Sequence, residues 1–362
     1  MYTPNFTPNR PFPLKPLAAA VLLVCASGIH SAPILDVPNN DITVALPDGK
    51  TTTVTQHVGR AVVKWQEFSI AEGEVVQFIQ PDANSVILNR VVGGDPSQIL
   101  GDLHANGRVF LINPNGIVFG EKSVVSVGGL VASTLSLKPG FQGNDDVLEF
   151  QAETSSGGIE SLGTINAKDI VFLAPVINNT GSLKASVTGA AVNLIAAVNL
   201  IAASEVTANI GGADMVFTVK AGHENALIDQ LGSVLAQGGK IVLLASSTNN
   251  GAGSVINTAG VNEASQITVQ GDTVQLTGTF TASNPENALQ VSAKTIRQLD
   301  ALTVVGSSQL IANEVKLDNE GNDFKAQVNV NSSGHTDLRD ANKLTLNNLN
   351  AGSLTVNATT ID

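Results

Sequence analysis

"FLINPNGIVFG", residues 110–120, is the stretch on which the fold turns. Phe110 to Ile112 and Ile117 to Phe119 read as two short strands, with Asn113-Pro114-Asn115-Gly116 between them. Those four residues carry type I turn chemistry: Asn first, Pro presetting φ second, Gly fourth. Strand, tight corner, strand is a unit that builds a large fold only if it recurs.

It does recur, loosely. Gly, three residues, then Ala returns at Gly163–Ala167, Gly181–Ala185, Gly232–Ala236, Gly260–Ala264 and Gly278–Ala282. In four of the five an apolar residue stands two after the Gly, on the same strand face as the Ala. A unit of about twenty residues cannot bury its apolar side alone, but a stack of such units can. The pattern predicts an all-β parallel β-helix (a solenoid) with on the order of fifteen rungs spaced ~4.8 Å apart. "AVNLIA", which occurs in tandem at 191–196 and 197–202, fits strands as well, because a six-residue repeat keeps each side chain on its own face. Residues 42–56, "ITVALPDGKTTTVTQ", alternate about Pro47-Asp48-Gly49-Lys50 and predict a hairpin near the N-terminal end, placed to cover an open sheet end. The best helical candidate is "PSQILGDLHANG" (96–107), a short turn of helix ending at Gly107.

Composition agrees with a stacked β core. The 362 residues are 43% hydrophobic but only 4% aromatic and 14% charged, so Val, Ile, Leu and Ala must fill the interior. With a net charge of −12, nucleic acid is excluded as a natural partner. Residues 1–32 read as a signal peptide: Arg10 and Lys15, then the apolar run 17–26, then small residues before Pro33. The run is too short to span a bilayer, and no transmembrane segment follows it. Its removal takes away Cys25, the only cysteine, so the mature chain must hold together by burial and backbone pairing.

Catalytic chemistry is thin. His57, His104, His223 and His335 lack metal-ligand spacing, and no zinc-protease, nucleophile-elbow or phosphate-loop motif occurs. "GNDDVLEF" (143–150) and "DNEGNDF" (318–324) raise a calcium reading, but neither has a recognised alternating ligand pattern, and solvated corners explain both better. No catalytic residue, cofactor or metal is assigned. The alternative from another class is a carbohydrate-active parallel β-helix enzyme, a polysaccharide lyase or hydrolase. It needs clustered carboxylates with a basic residue on one face, for which Glu205 and Asp214 are one scattered candidate pair.

The block Val62–Leu137 closely resembles the N-terminal two-partner-secretion (haemagglutination activity) domain of the filamentous haemagglutinin family. Asn113-Pro114-Asn115-Gly116-Ile117 matches the family's hallmark pentapeptide. Trp65, Phe68, Ile70, Asn89-Arg90-Val91 and Ala132-Ser133-Thr134-Leu135 match surrounding positions. The upstream Asn-Pro-Asn-Leu motif of the haemagglutinin branch is absent, so the resemblance lies toward the high-molecular-weight adhesin branch. It implies a right-handed parallel β-helix with an N-terminal capping hairpin. It implies division into a signal peptide (1–32), a secretion domain (33–290) and further rungs (291–362) that stop mid-pattern, as in a truncated exoprotein. It also implies an adhesin-like, non-enzymatic exoprotein, secreted or held at the cell surface after Sec export. The partner would be an outer-membrane β-barrel transporter with periplasmic repeats, and the rod's ligand a host receptor or an exopolysaccharide. Residues 113–117 would then be the secretion motif, serving as structural corner, recognition surface or both. Trp65, Phe68, Asn89 and Arg90 would support it, Trp65 and Phe68 by packing the cap and Arg90 by pairing with Asp95 or Asp102.

Overall fold

Almost every strand of the coil pairs, in parallel, with a strand one turn earlier, and this rule generates almost the whole architecture. The computed structural model describes residues 32–138, 145–154, 156–186, 197–210, 215–248, 253–284 and 288–362. The signal-peptide segment, the first "AVNLIA" copy and Asp214 lie outside them.

Three ladders form the faces of the coil. One begins at Thr51–Gln56, Val75–Ile79 and Asp102–Ala105. A second runs through Arg60–Glu67, Val86–Val91, Arg108–Ile112, Gly129–Ser133, Asp169–Ala174 and Ala197–Ala202. A third carries Ser97–Ile99, Ile117–Phe119, Ile159–Ser161 and Val176–Asn179. All are parallel, so the fold is the expected parallel β-helix. At its start lies an antiparallel hairpin, Ile42–Ala45 with Thr51–Gln56, where sequence placed one. At the hairpin's tip the backbone N–H groups of Lys50 and Thr51 hold the Asp48 carboxyl below the usual carboxylate range.

Two expectations are corrected. Residues 96–107 are not helical: Ser97–Ile99 and Asp102–Ala105 are strands on different faces. Ile99 and Leu103 stand four residues apart, the spacing of one helical face, yet each points into the core from its own strand. Between them, a Cβ on Gly101 would lie 2.3 Å from the carbonyls of Ala71 and Glu74, so the chain turns a corner there. Among the described residues the coil also has fewer rungs than about fifteen, since the second ladder holds twelve strands there. The missing residues build a separate antiparallel sheet of Ser136–Leu137, Val147–Gln151, Glu205–Asn209 and Val216–Ala221.

That side sheet explains the continuous apolar runs. Along Arg108–Ile112, Val109 and Leu111 point into the coil, while Phe110 and Ile112 point outward into a second core. Leu148, Phe150, Val206 and Ala208 of the side sheet close this second core. Strands buried on both faces lose their alternation. Each fully buried Phe or Leu contributes about 1.5–3 kcal/mol.

The Gly-x-x-x-Ala units stack in register on the first ladder, Ala167 against Ala185, Ala236, Ala264 and Ala282 in turn. Their glycines form a column. A Cβ at Gly181, Gly232, Gly260 or Gly278 would sit between 1.6 and 2.3 Å from the preceding glycine's carbonyl oxygen. Those carbonyls accept from Ser182, Ser233, Val261 and Thr279 N–H at 2.9–3.2 Å. The one non-apolar residue in the inward column, Asn262, is fully buried between Val234 and Phe280, and neither side-chain polar atom has a hydrogen-bond partner.

Two substitutions test this packing by urea unfolding. Gly260→Ala is expected to lose about 2–3 kcal/mol or more, whereas Gly59→Ala, with open space around its Cβ, stays within about 0.5 kcal/mol of the parent. Asn262→Val removes an unsatisfied buried amide and is expected to gain about 1–2 kcal/mol with an unchanged denaturant slope.

Candidate functional site

The Asn113–Ile117 corner joins the second ladder to the third. Gly116 N–H donates to Asn113 O at 3.1 Å, closing the turn that the sequence predicts. Gly116 has φ +128°, a backbone region that side chains with a Cβ rarely enter. Ile117 is fully buried in the coil core.

What the side chains do at this corner is more informative than its shape. Asn113 is fully buried. Its Nδ2 donates to Asp95 O at 2.9 Å and Ser97 Oγ at 3.0 Å, in the rung below. Its Oδ1 accepts from the backbone N–H of Asn115 at 3.0 Å and from Asn115 Nδ2 at 3.2 Å. Asn115 Nδ2 also donates to Gly93 O at 2.9 Å. From the rung above, Gly157 N–H donates to Pro114 O at 2.7 Å, while Ile117 N–H donates up to Gly158 O at 3.2 Å. The corner is thus bolted to the rungs on both sides, and Pro114 and Asn115 are only half-buried.

The neighbouring motif stacks directly on it. Asn113 N–H donates to Ser133 O at 2.9 Å, and Thr134 Oγ1 donates to Gly157 O at 2.7 Å. Sequence reasoning had no account of Gly93, Ser97 and Gly157. A Cβ on Gly157 would lie 2.5 Å from Asn115 O, so the Gly93-Gly94 and Gly157-Gly158 pairs were the available signal.

The supporting residues divide. Trp65, Phe68 and Asn89 form one buried cluster near the cap. The rings of Trp65 and Phe68 meet edge-on at 5.4 Å, and Trp65 Nε1 donates to Asn89 Oδ1 at 2.9 Å. Asn89 Nδ2 then donates to Phe110 O at 3.1 Å, which ties the cap to the strand that leads into the corner. Arg90 is half-buried beside Lys64 and Ile112 and makes no ion pair with Asp95 or Asp102, because its strand turns it outward on the second ladder. Of the acid-rich stretches, Asp146 pairs with Arg60 at 2.6 Å and Asp323 with Lys325, and Asn322 is buried in a corner. Among the described residues, no three His, Cys, Asp or Glu side chains converge as a metal site.

Comparison with known proteins adds the following. The family model described as TPS secretion domain matches residues 33–291. A second model, of repeats of unknown function, matches residues 272–331. The crystal structure of the HMW1 secretion domain from Haemophilus influenzae superimposes with a TM-score of 0.61 at 18% identity, covering 91% of this chain and 99% of that one. At that identity the likeness speaks to the fold. A heme/hemopexin-binding protein of Haemophilus influenzae strain Rd is 34% identical over 182 residues, which are 47% of this chain and 20% of that protein. Another Haemophilus influenzae heme/hemopexin-binding protein is 38% identical over 124 residues, 33% of this chain and 13% of that one. The matches therefore span a fifth or less of those relatives.

The buried network predicts an order of effects on stability. Asn113→Ala, which leaves Asp95 O and Ser97 Oγ without their donor, is expected to cost about 1–3 kcal/mol. Pro114→Ala, on the half-exposed rim, is expected to cost less than about 1 kcal/mol. Equal costs in chemical denaturation would refute the assignment.

Proposed function

The chain belongs to the TPS secretion domain family, the secretion domain of two-partner-secretion exoproteins, and from that premise we propose how it is exported and what its hallmark motif does. Residues 33–290 act as the domain that an outer-membrane β-barrel transporter recognises through its periplasmic repeats. Residues 291–362 continue the rod. Residues 1–32 direct Sec export into the periplasm, and the product is an adhesin-like exoprotein released or displayed at the cell surface. It is not an enzyme. Supporting this, Glu205, half of the one carboxylate pair offered for catalysis, is taken up by Lys138 on the side sheet.

The observation that carries the reading of Asn113–Ile117 is the direction of its hydrogen bonds. The hydrogen bonds that leave the motif run to neighbouring rungs, below to Gly93, Asp95 and Ser97 and above to Ser133, Gly157 and Gly158. The motif serves secretion by allowing the first rungs to stack. Its half-exposed rim, Pro114 and Asn115, is what remains for direct contact. Trp65, Phe68 and Asn89 act in the same way from the cap.

Stacking also offers a driving force. The periplasm supplies no ATP, but each rung delivered outside the cell adds burial to a one-dimensional stack, which opposes backsliding.

The test is secretion of the full chain with and without the adjacent outer-membrane transporter. Protein in the medium only when the transporter is present is the expected result, and retention of a folded mature chain in both cases would sink the reading. Gly116→Val is expected to abolish secretion and also to prevent refolding in vitro. A Gly116→Val chain that refolds normally yet stays in the periplasm would instead make the motif a contact surface.

A further inference from the structure

Beyond the side sheet, the second ladder loses its cover and its outward side chains meet solvent. Two outward columns run along it. One is Thr268, Gln290, Gln309 and Asn329, continued by Asn347 and Asn348; the other is Gln270, Ser292, Ile311, Asn331 and Asn350. Eight of these are carboxamides, and no Asp, Glu, Lys or Arg stands among them. The third ladder over the same rungs differs toward its C-terminal end, where one outward column runs Asn257, Gln275, Arg297, Lys316 and Asp337. In a chain of 31 acidic and 19 basic residues, the uncharged strip is a local property of one face.

The strip is ordered by its own hydrogen bonds. Asn329 Nδ2 donates to Ser308 O at 3.2 Å, and its Oδ1 accepts from Asn347 and Asn348 at 3.2 Å. Asn350 Nδ2 donates to Asn331 Oδ1 at 3.0 Å. The more N-terminal amides, Gln270 and Gln309, are exposed. At that end the strip runs into a cleft of about 630 Å³ against the edge strand Val216–Ala221, walled by Phe217 and Thr218 and floored by Leu244 and Gln270. The cleft's carboxylate is already matched: Lys294 Nζ lies 2.8 Å from Asp272, whose other oxygen accepts from Ser247 and Ser254. Burial acts to raise the Asp272 pKa, but Lys294 and the two serines hold it well below the usual carboxylate range.

We infer that this strip and cleft form a binding surface for an extended neutral glycan. Carboxamides present donors and acceptors side by side, which is what a row of sugar hydroxyls requires. The strip carries no charged residue, and the cleft's one cation, Lys294, is matched by Asp272, which argues against anionic glycans and for a neutral one. Rungs repeat every ~4.8 Å, a spacing close to that of successive sugars in an extended β-linked chain, so one ligand can engage many rungs. Phe217, half-buried at the cleft, offers an apolar ring against which a sugar can stack. The inference rests on the reading that the rod is displayed outside the cell, but its test does not depend on export.

The purified full-length mature chain is passed over cellulose, xylan and β-1,3-glucan, with alginate and heparin as anionic controls. Retention on at least one neutral polysaccharide, unchanged between low and high salt, is expected. Gln309→Lys with Asn331→Lys should weaken it at least tenfold, and Phe217→Ala severalfold. Thr355→Lys, on the third ladder, should leave it unchanged. Circular dichroism and melting confirm that each variant is folded, and Phe217→Ala alone suffices if the double variant is not. No retention on any neutral polymer overturns the inference. So does retention only on the anionic polymers with release by salt. A concentration-dependent dimer that the lysine pair abolishes, without glycan retention, would assign the face to a second copy of the chain instead.

Discussion

The constraint on which the rest of this structure depends is the approach of one rung's backbone to the next at the corners. A parallel ladder needs its strands ~4.8 Å apart, and at the glycine column the carbonyl of one turn lies where the next residue's Cβ would be. The same carbonyl accepts the ladder hydrogen bond from the residue after the next glycine. Glycine there leaves room for the backbone to close, and the hydrogen bond then sets the register. Once register is set, the apolar residue two positions on and the alanine four positions on fall over their counterparts without further instruction. Core composition follows from this geometry: aliphatic residues fill most of a narrow coil, and the rings of Trp65, Phe68 and Phe78 gather near the cap.

The Asn113–Gly116 corner meets the same constraint by a different chemistry. Where the column corners bring rungs together through bare backbone, this one inserts a buried amide that bonds to the rung below while its backbone bonds to the rung above. A buried amide left unsatisfied costs free energy, and Asn262 on the first ladder is such an amide. At Asn113 every polar atom of the amide is engaged, so it contributes specificity of stacking as well as stability. The corner is tolerant of little because three rungs converge on it.

This difference explains what could be read from sequence. Turn chemistry at 113–116, the hairpin at 42–56 and the recurrent Gly-x-x-x-Ala units are local signals, and each lay where local rules placed it. The acceptors of Asn113 Nδ2, by contrast, are 16 and 18 residues away in sequence, and no local rule assigns an amide to a carbonyl one rung distant. The side sheet was illegible for a related reason. Its strands, Val147–Gln151 and Glu205–Asn209, pair with each other across two turns of the coil, and their modest alternation resembles that of the rungs. The only trace of it in sequence was indirect: the loss of alternation in "RVFLI" and "DIVFLA", which marks strands covered on both faces. At 96–107 the opposite error arose, since Ile99 and Leu103 satisfy helical spacing although a corner at Gly101 separates them.

The side sheet also divides the rod into two regimes. Up to about Ile201 the second ladder is buried from both sides, and stability there draws on two hydrophobic cores. After Leu244 the same ladder keeps only its inner core, and its outward positions become free to carry any residue that tolerates a strand. Charged residues are the usual choice for an exposed face because they keep sheets from associating, and the third ladder follows that habit from Arg297 through Lys316 to Asp337. On the second ladder uncharged amides occupy those positions instead. Stacked amides satisfy one another along the rod, so folding alone does not penalise them, but solubility alone does not favour them over charge. Their retention over successive rungs, on the one face that the side sheet stops short of covering, is what points to contact with something outside the chain.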